Sequence, residues 1–186
     1  MFFDNRKVKI SDVQITDNAP YFQTKSLSGK VVKRMAGPQF LSIKFTANYM
    51  REDLPQVKKF IALHKFGQPF EMPLGYFSEY KGNAGAVVAR AKVNKGTRLV
   101  PVGVFVGTLE AGTYIKFNNH PKIYQVVEDV KANGTMKIFP GLYQEVNSGE
   151  PINFRSITGS FVLTNDKYDF DIKSAANIKF EATENV

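Results

Sequence analysis

The chain has 186 residues, no cysteine, no tryptophan and two histidines, and a formal net charge of +8. Without cysteine there are no disulfides, thiolate metal sites, iron–sulfur clusters or thiol nucleophiles. With only His64 and His120 for imidazole chemistry, an enzyme is not expected. The opening Met1-Phe2-Phe3-Asp4-Asn5-Arg6-Lys7 has no apolar run, so neither a secretory signal nor a membrane span is expected. The charge is uneven: residues 1–84 carry +6, residues 85–155 carry +4 and residues 156–186 carry −2.

Strand patterns begin at Val8–Ile15. The densest basic cluster follows, Lys25, Lys30, Lys33 and Arg34, beside Tyr21 and Phe22. It reads as a basic loop, either solvated and facing an acidic neighbour or binding nucleic acid with its aromatics stacked on bases. Phe40–Tyr49 then alternates apolar and polar residues, the period of a half-buried strand. Asp53, as N-cap, and Leu54-Pro55 open a helix in which Leu54, Val57, Phe60, Ile61 and His64 share a face, with Gly67 as its stop.

Tyr76, Phe77 and Tyr80 lie in a following loop, and together with Tyr21, Phe22, Lys25, Lys33 and Arg34 they are the candidate interface residues. A boundary is expected near Gly82-Asn83-Ala84-Gly85. Short strand patterns fill the next seventy residues: Ala86–Val93, Arg98–Val102, Tyr114–Phe117, Ile123–Val127, Thr135–Phe139 and Ile152–Ser156. Their number suits a small barrel, which removes exposed sheet edges. Asn133-Gly134 predicts a type I′ hairpin turn. The chain closes with strands expected at Gly159–Leu163, Tyr168–Ile172 and Asn177–Ala182.

No nucleophile elbow, P-loop or metal-ligand spacing is present, so no catalytic, cofactor-binding or metal residues are assigned. His64 reads as a core-edge residue and His120 as a turn residue. Asp166, Asp169 and Asp171 lack the glycine and distal glutamate of a calcium loop and read as a solvent face. Sixteen Phe and eight Tyr exceed what a small core hides, which points to rings at an interface.

The series Met35-Ala36-Gly37-Pro38-Gln39-Phe40, Gly67-Gln68-Pro69-Phe70-Glu71-Met72-Pro73-Leu74, Leu109 to Phe117, Lys122 to Val127 and Met136 to Leu142 resembles the distal tail proteins of long-tailed bacteriophages. The likeness spans residues 30–182. It implies a mainly β protein: a β-sandwich or barrel ring domain with one α-helix, residues 1–84 and 157–186, carrying an inserted small OB-like β-barrel, residues 85–156. It further implies a homohexameric ring in the virion, at the tail tip. The ring would join the tail tube protein to the tail hub or baseplate proteins, and DNA would pass through it without sequence-specific binding.

Another phage tail-tip component built on a similar small barrel is one alternative, and an OB-like barrel that binds single-stranded nucleic acid is the other. It would use Arg90, Lys92, Arg98 and Lys116 with Tyr114, Phe117 and Tyr124 as stacking rings.

Overall fold

The computed structural model describes residues 3–186; Met1 and Phe2, which open the segment read against a secretory signal, lie outside the described residues. The protein is mainly β with a single α-helix, and it forms two compact units, residues 3–70 with Phe161–Glu184 and Glu71–Ser160 with Asn185–Val186. The sequence reading places residues 71–84 in the first domain, whereas the compact units divide after Phe70, inside the strand Phe70–Pro73, and residues 74–84 pack with the second unit. Aromatic contacts hold them there: Phe77 stacks on Tyr114 with centroids 4.5 Å apart, and Tyr80 meets Phe154 edge-on at 4.8 Å. Among the described residues no helix is long and apolar enough to cross a membrane.

The first unit holds β1 (Val8–Asn18), β2 (Tyr21–Lys25), β3 (Val31–Met35), β4 (Phe40–Met50) and the helix α1 (Leu54–His64). Then come β5 (Phe70–Pro73) and, after the second unit, β14 (Thr158–Leu163) and β15 (Ala175–Glu184). Five of these strands make one sheet in the order β1-β4-β15-β14-β5. Leu41, Ile43, Phe45, Ala47 and Tyr49 of β4 are all buried, because alternate side chains of a strand share a face.

Val57, Phe60, Ile61 and His64 recur every three or four residues and give α1 its buried stripe. Phe60 lies 5.2 Å from Phe70 and 5.5 Å from Phe180, and Phe180 stacks on Phe45 at 5.2 Å. Burying each such ring contributes about 1.5–3 kcal/mol. Asp53 precedes the helix as read, but its side chain makes no capping bond, since a 3-10 turn over Arg51–Asp53 leads into α1 and leaves Asp53 in helical conformation.

The second unit contains β6 (Val87–Val88), β7 (Leu99–Pro101), β8 (Thr108–Leu109) and β9 (Tyr114–Phe117), then β10 (Ile123–Val126), β11 (Val130–Lys131), β12 (Thr135–Phe139) and β13 (Pro151–Asn153). Six of them form a sheet in the order β6-β13-β9-β10-β12-β7. It curls until its two edges meet. Gly103 N–H donates to Val88 O at 3.0 Å, Arg90 N–H donates to Pro101 O at 2.8 Å, and Ala89 bridges Val102. Closure pairs the edge backbone groups that an open sheet leaves to solvent or to another chain.

Two further expectations fail in detail. Asn133-Gly134 is not a type I′ hairpin turn: Asn133 has φ +59° but Gly134 is not left-handed, and β11 pairs with β8 instead of with β12. Tyr168–Ile172 is no strand but part of an irregular loop between β14 and β15, because β14 pairs only as far as Leu163↔Ala182.

Candidate assembly surface

β1 and β4 are antiparallel neighbours whose pairing ends at Asn18↔Phe40. The chain then continues outward as a second antiparallel pair, β2 with β3, from Tyr21↔Met35 to Lys25↔Val31. Two residues on one side of the junction, Ala19 and Pro20, face four on the other, Ala36 to Gln39. That mismatch and the missing amide hydrogens of Pro20 and Pro38 interrupt the ladder, so β2 and β3 form a two-stranded sheet of their own. Its tip is tied by Ser26 N–H to Lys30 O at 2.9 Å and by Gly29, at φ +83°, to Ser26 O. Five pairs at the strand rise of 3.3 Å make a ribbon about 17 Å long.

Every residue of β2 and β3 is exposed. Paired residues share a face, so Tyr21, Gln23, Lys25, Val31, Lys33 and Met35 lie on one side and Phe22, Thr24, Val32 and Arg34 on the other. Phe22 keeps 70% of its surface in water. No acidic residue occurs between Asp17 and Glu52, so Lys25, Lys30, Lys33 and Arg34 give the ribbon an unopposed positive field. Lys33 Nζ sits 4.3 Å from the Tyr21 ring centre, a cation–π contact that holds the ring in place. An isolated two-stranded hairpin is marginal in water, and Tyr21, Phe22, Val31, Val32 and Met35 keep between 48% and 70% of their surface exposed.

Five of the eight candidate interface residues, Tyr21, Phe22, Lys25, Lys33 and Arg34, are thus brought together on one ribbon. What the sequence reading treats as a basic loop is a strand pair, and its apolar members Val31, Val32 and Met35 were passed over. The missed signal is the aromatic and β-branched run on either side of the Ser26-Leu27-Ser28-Gly29 turn, Tyr21-Phe22 before it and Val31-Val32 after it.

The other three candidates belong to the second unit. Tyr76 is 92% exposed. Phe77 and Tyr80 are not exposed anchors, since each packs on its own chain as described above. The Tyr80 hydroxyl donates to Glu110 Oε2 at 2.7 Å and accepts from Ala84 N–H at 2.9 Å. Burial pushes its phenol above the ordinary tyrosine range; the Ala84 amide works against that shift, and Glu110 adds to it.

The rings of the nucleic-acid alternative are placed just as clearly. Phe117 and Tyr124 are buried in the second unit's core, and Tyr114 is stacked on Phe77. Lys116 Nζ donates to Thr158 O at 2.9 Å, and Lys92 pairs with Glu145 at 3.0 Å. Stacking a base on Phe117 or Tyr124 requires opening that core.

Both histidines are internal. His64 Nδ1 lies 3.0 Å from Gln68 O at the end of α1. His120, expected as a simple turn residue, is only 2% exposed, with Nδ1 3.0 Å from the Tyr124 hydroxyl and Nε2 3.1 Å from Glu145 O. Because the Glu145 carbonyl can only accept, Nε2 carries the imidazole hydrogen, and in the neutral ring Nδ1 accepts from the Tyr124 hydroxyl, whose oxygen also accepts Tyr143 N–H. This is a structural tie for a turn, filled on both sides. Among the described residues no group of His, Asp or Glu could hold a metal ion, and that includes Asp166, Asp169 and Asp171.

The chain matches no protein-family model and no curated protein.

Proposed function

We propose that this chain is a structural, non-enzymatic protein of a bacteriophage virion, a distal tail adaptor that self-assembles into a homohexameric ring between the tail tube and the hub or baseplate at the tail tip. The observation that carries the reading is the β2–β3 ribbon, a separate two-stranded sheet in which every residue, apolar and cationic alike, is exposed. Such a surface is stable in water only at a cost, which a partner removes. A ring satisfies it six times over, because each copy offers the ribbon and receives its neighbour's. The resemblance of residues 30–182 to distal tail proteins supplies the identity of the ring. On this reading the first unit, residues 3–70 with Phe161–Glu184, builds it, and DNA passes through without base-specific contacts.

Light scattering on a sizing column, at low and high salt, tests the proposal. A mass of six protomers, seen as closed rings in the electron microscope, is expected. A monomer at every concentration and salt, together with no association with tail-tube protein, contradicts it.

A further inference from the structure

We infer that the ribbon of one copy docks head-to-tail on the loop between β14 and β15, residues 164–174, of the next copy; the inference rests on the ring reading and names the contact that closes the ring. The ribbon needs an occupant that is acidic and apolar together. Within this chain the loop fits that need best, for Asp166, Asp169 and Asp171 fall within six residues and the region from 156 onward is the one with net negative charge. The same loop exposes Ile172 to 89% and Phe170 in part. Lys167 and Lys173 leave residues 164–174 a net charge of −1, and Lys173 lies 3.2 Å from Asp171 on the surface, so the attraction is carried by individual Asp–cation pairs around an apolar centre.

Topology anchors the two patches at different places on the sheet. The ribbon leaves the sheet where β4 begins, at Asn18↔Phe40. The loop returns where β4 ends: Arg51 N–H donates to Ser174 O at 2.9 Å, and Ala175 pairs with Met50. The eleven residues of β4 separate the two points by about 33 Å. The loop leaves the sheet at Thr164, whose N–H donates to Glu181 O at 2.9 Å, level with Lys44, so along β4 its first residue lies about 13 Å and its last about 33 Å from the point where the ribbon departs. Ribbon and loop are different patches anchored at separate places on one sheet, and two different patches are what a heterologous interface requires, the kind that generates rings when its rotation closes.

The test uses the full chain at concentrations where it assembles, with equal parts of isotope-labelled and unlabelled protein. A zero-length carbodiimide cross-linker is expected to join Lys25, Lys30 or Lys33 of one copy to Asp166, Asp169 or Asp171 of a differently labelled copy. Lys33→Glu with Arg34→Glu, and separately Asp166→Lys with Asp169→Lys, are each expected to weaken association tenfold or more with unchanged circular dichroism. Combining all four in one chain is expected to recover most of the loss.

Assembly with cross-links elsewhere, or without rescue by the combined variant, overturns this contact and leaves the ring reading standing. A chain that stays monomeric and does not associate with tail-tube protein overturns the ring reading and this inference with it. A salt-dependent shift of a single-stranded oligonucleotide by the monomer, lost in Lys33→Glu with Arg34→Glu, assigns the ribbon to nucleic acid instead.

Discussion

β4 and the ribbon that feeds into it are both built of antiparallel strands and end in opposite environments. β4 alternates apolar with polar residues, whereas the ribbon sets apolar residues next to each other, Tyr21 beside Phe22 and Val31 beside Val32, so both of its faces carry apolar side chains. In β4 every second side chain from Leu41 to Tyr49 is buried, and Phe45 stacks on Phe180, which meets Phe60 of α1. In β2 and β3 Tyr21, Phe22, Val31, Val32 and Met35 stand about half or more in water, on both faces of the ribbon. The difference lies in what stands behind the strand, since the interrupted pairing at Pro20 and Pro38 carries β2 and β3 out of the five-stranded sheet. Apolar residues in a strand report that a face needs cover, and tertiary structure decides whether the cover comes from the same chain.

The widest break in that comparison is at the helix. Ile61→Asp places a carboxylate on the buried stripe of α1, and a loss of about 4 kcal/mol or more is expected, seen as loss of the first unit's cooperative thermal transition. Tyr124→Phe strikes the second core more gently. It removes the hydroxyl shared by His120 and Tyr143 N–H and leaves both without it, so denaturant unfolding should register about 1–3 kcal/mol.

Phe22→Ala sharpens the contrast from the other side. The free protomer is expected to change by less than about 0.5 kcal/mol, while self-association measured by sedimentation weakens about tenfold or more. Equal effects on folding from Phe22→Ala and Tyr124→Phe would remove the distinction between covered and uncovered strands.

The smallest effect is at Tyr80. Its folded-state pKa is raised, chiefly by burial, so the stability its neutral phenol contributes is fully present below the unfolded tyrosine value of about 10 and is lost as pH rises through the folded value. The stability gap between wild type and Tyr80→Phe should therefore close on raising the pH above about 10, as followed by thermal unfolding. A gap that widens there contradicts the burial of this hydroxyl.

How far the residues announced these features depends on whether the cover is local. The helix was legible because Val57, Phe60, Ile61 and His64 repeat at its period, and β4 and the barrel strands β9, β10 and β12 because their alternation is long or bounded by turns. The mainly β class with one helix follows from those elements alone. The ribbon was half legible: Tyr21, Phe22 and the cations stood out, but Lys33 and Arg34 among Val31, Val32 and Met35 made the second strand look like a loop. Tyr168–Ile172 shows the reverse error, an alternating segment left without a neighbour to pair with. Nor could the burial of His120 be read from sequence, since it depends on Tyr124 and on the Glu145 carbonyl 25 residues away.

Amide hydrogen exchange of the wild-type chain, compared at dilute and at assembling concentrations, tests the central claim most directly. With no sheet neighbour, the outward amides of residues 21–35 should exchange fast in the dilute protein and slow at least tenfold on assembly, while the core amides of Ile115 and Ile138 stay protected throughout. Ribbon amides that exchange equally fast in the assembled protein would show that the ribbon remains uncovered there, and would contradict its role as the surface that joins one copy to the next.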